Sequence, residues 1–155
     1  MMAISLITYA VNTRKTVIPI SIHEEHFGQE GYKNVLAFRL LPHLLEHVFR
    51  RKVFADWKPC EEEMVECFVR HSETDCSEED LEKIAADHRI KYLDKGIKNA
   101  QPFVLISGPL VLSPKFYVII DEIIYKFESI ISAMDFCFKS FHSFNLEYCL
   151  ASEHL

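Results

Sequence analysis

Two runs of five residues, Phe116-Tyr117-Val118-Ile119-Ile120 and Ile123-Ile124-Tyr125-Lys126-Phe127, flank the dipeptide Asp121-Glu122. Both are rich in β-branched and aromatic residues, which suit a pleated surface. A two-residue turn would set Ile120 against Ile123, Val118 against Tyr125 and Phe116 against Phe127. Side chains alternate along a strand, so all six would face one way. Tyr117, Ile119, Ile124 and Lys126 would face the other. The turn lacks the glycine that such hairpins favour, so its length stays open.

The neighbouring segments reinforce this hairpin. Phe103-Val104-Leu105-Ile106 before it reads as an apolar strand, and about Ser129 to Asn145 after it reads as a helix. Ser129 is the expected N-cap. Ile130, Met134, Cys137, Phe141 and Phe144 form one helical stripe, with Ser132, Asp135, Lys139, His142 and Ser143 opposite. The stripe is expected to cover the hairpin. Asp135 and Lys139, four apart, can pair weakly.

Upstream, Ser77 opens a further helix with Asp80 three residues on, as in a capping box. Glu78, Glu79 and Asp80 suit the positive end of the helix dipole. Leu81, Ile84, Ala85, His88 and Tyr92 make its stripe. Lys91 and Lys95 stand near its end, with Gly96 as the stop. Val65, Cys67 and Val69 alternate with Glu66 and Arg70, which favours a strand over Met64–Arg70, while Phe68 breaks the alternation and leaves the reading ambiguous. Asp56–Glu63, a polar stretch with Pro59, is the best boundary. Lys33–Phe54 has helical periodicity, and Pro42 demands a kink or a second helix start. His23–Tyr32 reads as a loop, and Thr16–Ile22, interrupted by Pro19, as an edge strand or loop. The expected fold is α+β: a small, mainly antiparallel sheet with helices packed on one face. Residues 1–58 would form an N-terminal helical subdomain, and residues 59–155 the α+β module.

Composition narrows the function classes. The 155 residues carry 23 Asp and Glu against 17 Lys and Arg, a formal net charge of −6. An acidic surface repels phosphate backbones, which disfavours wide nucleic-acid binding. Arg50-Arg51-Lys52, with Arg39 upstream, is the best candidate for a local basic patch, and such runs are usually solvated helix ends. No apolar run has the length of a membrane span, and Met1–Val11 lacks the basic start of a signal peptide. Five cysteines (Cys60, Cys67, Cys76, Cys137 and Cys149) are odd in number and irregularly spaced, which suits reduced thiols better than a disulfide framework. The expected location is intracellular, cytoplasmic or nuclear, with no membrane association.

Several pieces of the chain together resemble a known module. They are Phe68-Val69-Arg70-His71, Gln101-Pro102-Phe103-Val104-Leu105-Ile106-Ser107-Gly108 and Phe116-Tyr117-Val118-Ile119-Ile120-Asp121. Ala133-Met134-Asp135-Phe136-Cys137-Phe138-Lys139, Asn145-Leu146-Glu147-Tyr148 and Ser152-Glu153-His154 follow. From about Cys67 to Leu155 the chain resembles a C-terminal module of uncharacterised arthropod and other animal proteins. Some of these look like multicopy or mobile-element-associated genes. The module usually continues through a Trp- and Tyr-containing helix, and this chain stops at Leu155 before it. The resemblance implies a fold unit and carries no biochemical activity.

The sharpest chemical motif is His43-Leu44-Leu45-Glu46-His47, an H-x-x-E-H pattern resembling that of inverzincin peptidases. Two His one helical turn apart can share a Zn²⁺, with Glu46 as general base. The third ligand in such enzymes is a Glu further along, and Glu122 falls in that range. Three features oppose this. On a helical wheel His43, Glu46, His47 and Arg50 lie opposite Leu41, Leu44, Leu45, Val48 and Phe49, on the solvated face. Glu122 stands at the expected hairpin tip, whereas the family places its ligand on a helix. Pro42 replaces the small residue usual before the first His, and the later glycine-containing stretch is missing.

Other polar groupings are weaker. Cys60, Cys67, His71 and Cys76 have zinc-ligand chemistry but no C-x-x-C knuckle. His23-Glu24-Glu25-His26 reads as a polar loop. His88 sits on an apolar stripe and reads as a hydrogen-bonded boundary histidine. Cys137 and Cys149 could act as nucleophiles beside a His, but Cys137 lies on the buried stripe, which suits packing. Ser107-Gly108-Pro109 ends a strand without forming a phosphate loop. The leading expectation is a non-catalytic protein-interaction module without cofactor, binding a protein partner or a second copy. The alternative is a zinc-dependent hydrolase with His43, His47 and Glu122 on the metal and Glu46 as its base.

Overall fold

The computed structural model describes residues 29–44, 66–93 and 101–146. In chain order the elements are α1 (Glu30–Leu44), β1 (Val69–Ser72), α2 (Glu78–Leu93), β2 (Phe103–Ser107), β3 (Lys115–Ile120), β4 (Ile123–Phe127) and α3 (Ile130–Ser143). The strands form one sheet in the order β1-β2-β3-β4. β1 runs parallel to β2, with Val69 opposite Val104 and Ser72 opposite Ser107. Parallel neighbours need a crossover connection, which α2 supplies. The other two pairings are antiparallel, so the sheet is mainly antiparallel and the fold is α+β.

The hairpin takes the expected register. Phe116 pairs with Phe127, Val118 with Tyr125 and Ile120 with Ile123. Two residues, Asp121 and Glu122, make the turn. Asp121 has φ 56°, while Glu122 is not among the positive-φ residues. A positive φ at the first central position alone is the type II′ pattern, which normally takes glycine there.

Both faces of the sheet are covered. Val104, Ile106, Phe116 and Val118 pack with Ile130, Ala133, Met134, Cys137 and Phe141 of α3 and with Val35 of α1. The alternate residues Phe103, Leu105, Tyr117 and Ile119 pack with Leu81 and Ala85 of α2. The helices are thus divided between two faces, where the sequence suggested one. All five β2 residues are buried, which is why its first four are apolar in a row rather than alternating. α1 shares its core with α3. The expected boundary at Asp56–Glu63 lies outside the described residues, as do the Thr16–Ile22 segment and Gly96.

Three local expectations shift. β1 begins at Val69 rather than Met64, and Glu66–Phe68 form the turn that enters it. The strand extends to His71 and Ser72 because its parallel register continues to Ser107. α1 begins at Glu30, inside a stretch read as loop, and Tyr32 is buried in its first turn. It continues through Pro42 into its last turn. Phe144, expected on the buried stripe, is the C-cap residue of α3 and is largely exposed.

Both helix starts are built as expected. Ser77 Oγ accepts from the Asp80 N–H at 3.2 Å, and the Ser77 N–H donates to Asp80 Oδ2 at 2.9 Å. This reciprocal pair satisfies two backbone donors that the helix leaves open. Ser129 is extended (φ −142°, ψ 154°) and its Oγ accepts from the Ser132 N–H at 3.1 Å. Such a cap stabilises a helix by about 1 kcal/mol.

Candidate functional site

Among the described residues β1 lies at one edge of the sheet, and it carries polar residues on both faces. Arg70 points toward α2. Its guanidinium donates to His88 Nδ1 at 2.8 Å and to the Glu66 carbonyl at 3.0 Å. A guanidinium has no acceptor, so Nδ1 must be bare. His88 Nε2–H then donates to the Gln101 carbonyl at 3.0 Å. The Phe103 ring supports both groups, with its centroid 4.2 Å from the His88 ring and 4.6 Å from the Arg70 guanidinium carbon. Burial, then the Arg70 charge, lowers the His88 pKa from 6.5 to about 3. The ring is therefore a neutral strut tying α2 to the entry of β2. Among the described residues Gln101 Oε1 is buried without a hydrogen-bond partner.

On the other face, His71 Nε2 lies 3.0 Å from the Gly108 carbonyl, to which it donates. Burial lowers its pKa; the hydrogen bond to Gly108 opposes this, Arg39 of α1 adds to it and Glu73 opposes it. Arg39 is half-buried, and burial lowers its pKa against the raising influence of Glu73.

The carboxyl ends of β1 and β2 hold the third grouping. Ser107 Oγ accepts from the Cys76 N–H at 2.7 Å and donates to Asp75 Oδ1 at 3.3 Å. Lys115 Nζ lies 2.5 Å from Asp75 Oδ2, and this contact chiefly holds the Asp75 carboxyl below its usual range. The Gly108 N–H reaches the Ser72 and Thr74 carbonyls at 2.9 and 3.2 Å. Gly108 has φ 95°, a conformation L side chains rarely adopt. The polar atoms here bind one another and the loop backbone, fixing how β1 leaves the sheet for α2.

The residues singled out by sequence fall as follows. Glu122 stands exposed at the hairpin tip, as expected, and there its carboxylate pairs with Arg89 of α2. Arg89 also reaches Asp121 at 3.5 Å. His43 lies in the last turn of α1, while Glu46 and His47 lie outside the described residues. Cys67 is buried, Cys76 half-buried, and Cys60 outside the described residues. His71 spends its Nε2–H on Gly108. Among the described residues no group of three His, Cys, Asp or Glu side chains is placed to hold a metal ion. Cys137 is buried, and burial pushes its thiol up to about 12. Cys149, Arg50, Arg51, Lys52 and the His23–His26 stretch are outside the described residues. No helix among the described residues is long and apolar enough to cross a membrane.

The Asp75–Ser107–Lys115 and Arg70–His88–Gln101 groupings were not foreseen. The polar Ser107 closing an apolar strand, and Arg70 beside the apolar Val69, were the available signals.

The surface offers a different kind of feature. Ile131 (53% exposed) and Phe138 (43%) lie seven residues apart on one flank of α3, and Phe144 (59%) follows at its end. Phe138 meets Phe68 edge-to-face, with centroids 5.2 Å apart. At the far side of the sheet Ile123 is 58% exposed beside the outer edge of β4. Compared with known proteins, the chain matches no family model, no curated protein and no solved structure.

Proposed function

We propose that this chain is a non-catalytic protein-interaction module of the kind carried by mobile-element-related animal genes. The supporting observation is the exposed apolar pair Ile131 and Phe138 on one flank of α3, with Phe144 exposed at its C-cap. Large apolar residues grouped on one flank are unfavourable in water and become favourable when a partner covers them. The polar side chains at the sheet edge, His88 and Ser107 buried and Asp75 exposed, support the same reading. His88, Ser107 and Asp75 are spent on holding backbone and neighbouring side chains.

The test is affinity capture from animal-cell extract with the full chain and with Ile131→Ser and Phe144→Ser variants. Both sites are exposed, so the variants should melt within a few degrees of the parent. The reading expects a discrete bound protein that both variants lose. Identical capture by the variants would count against it. So would stoichiometric zinc in the purified chain that disappears in His43→Ala, which would instead favour the hydrolase.

A further inference from the structure

We propose that the outer edge of β4 pairs with β4 of a second copy, antiparallel and about a two-fold axis through Ile124. This rests on the interaction reading and deepens it by naming one partner.

Among the described residues β4 is the last strand of the sheet. In a hairpin closed by two residues, the flanking pair Ile120–Ile123 exchanges backbone hydrogen bonds, and so do alternate pairs beyond it. Ile123, Tyr125 and Phe127 are therefore spent on β3. The N–H and C=O groups of Ile124 and Lys126 point away from the sheet. Such a row is a template for another strand. Antiparallel pairing must then set outward-facing residues of the two copies opposite one another, and three registers of this kind, with axes at Ile124, Tyr125 and Lys126, pair at least three strand residues of each copy.

Charge and apolar contact select among them. An axis at Lys126 sets that cation against itself. An axis at Tyr125 sets Glu122 against the partner's Glu128. An axis at Ile124 sets Lys126 against the partner's Glu122, twice over by symmetry, with Ile124 against its own copy. In the same register the exposed Ile123 meets the partner's Tyr125. Lys126 and Glu122 share the α2 face of the sheet, because Ile124 packs toward α2 and Glu122 is held by Arg89. Opposite charges directly across a strand pair are stabilising and like charges destabilising. A lone lysine on an edge commonly guards against pairing. Here the acid two positions before Ile124 and the base two positions after it make the edge self-complementary.

A single strand pair buries a modest area, so association should fall in the range of about 10–500 µM. The experiment is sedimentation velocity on the full chain across that range, with Lys126→Glu, Glu122→Lys and an equimolar mixture of the two variants. Wild type should dimerise. Each variant alone should weaken association by about tenfold or more, because both cross-strand pairs become like-charged. The mixture should recover wild-type association. In a mixed pair the acid introduced at position 126 of one copy faces the base introduced at position 122 of the other. The second cross-strand pair, Glu122 of the first copy with Lys126 of the second, is unchanged. Unchanged melting temperatures confirm that each variant is folded, since Glu122 also pairs with Arg89.

A wild type that stays monomeric throughout, variants that dimerise as well as wild type, or a mixture that fails to recover would overturn the proposal. None of these outcomes touches the α3 flank, which the Ile131 and Phe144 variants test separately.

Discussion

The Arg70 guanidinium stands 2.8 Å from His88 Nδ1 and fixes that buried ring as the neutral Nε2–H tautomer. The contact clamps the edge strand β1 to α2, while Nε2–H holds the Gln101 carbonyl on the approach to β2. Three segments far apart in sequence meet on one imidazole.

The clamp makes stability pH-dependent. The folded pKa of His88, about 3, lies below the unfolded value of 6.5. Between those values the unfolded chain binds a proton that the folded chain refuses. Stability from this group is fully present above pH 6.5 and falls as pH drops toward 3, at up to about 1.4 kcal/mol per pH unit. Denaturant melts at pH 7, 6, 5 and 4 should show the decline. His88→Gln should be less stable at pH 7 by about 1–3 kcal/mol, through imperfect hydrogen bonding, but with a shallower slope. Equal slopes for the two proteins would refute the assignment.

The hairpin turn is strained at one residue. Asp121 takes φ 56° where a type II′ turn favours glycine. Asp121→Gly loses an exposed contact to Arg89, worth little. Relief of the backbone should outweigh it, stabilising the protein by about 0.5–1 kcal/mol. A thermal melt with a lowered midpoint would count against this turn geometry.

The thiols should differ sharply in reactivity. Cys67 and Cys137 are buried, and the Cys137 thiol is pushed up to about 12. The thiolate is the reactive form, so both should resist aromatic-disulfide reagents until the protein unfolds. Half-buried Cys76 should react in the native state. A Cys60→Ser/Cys149→Ser variant simplifies the count: one thiol titrates natively and three after denaturation. Rapid native labelling of Cys137 would mean that α3 does not pack as described.

Much of the sheet was legible because its signals are local. The hairpin register follows from alternation and a two-residue turn, and the caps at Ser77 and Ser129 follow from a hydroxyl before a helical stripe. What was not legible depends on partners distant in sequence. β1 begins and ends where its pairing with β2 permits, so the alternation at Met64–Arg70 misplaced it. A five-residue strand buried on both faces has no periodicity to say that a second helix layer covers it. The β1 clusters join residues 13 to 40 positions apart, such as His88 with Gln101 and Asp75 with Lys115. Spacing alone does not predict such meetings. The H-x-x-E-H motif stood out only because its three residues are close in sequence.

Amide hydrogen exchange reads the outer edge of β4 residue by residue. In dilute protein the Ile124 and Lys126 amides should exchange rapidly, while the Ile123 and Tyr125 amides, bonded to β3, stay protected. Raising the concentration through the association range should slow Ile124 and Lys126 together. Protection of both at every concentration, or rapid exchange that concentration leaves unchanged, would contradict the account.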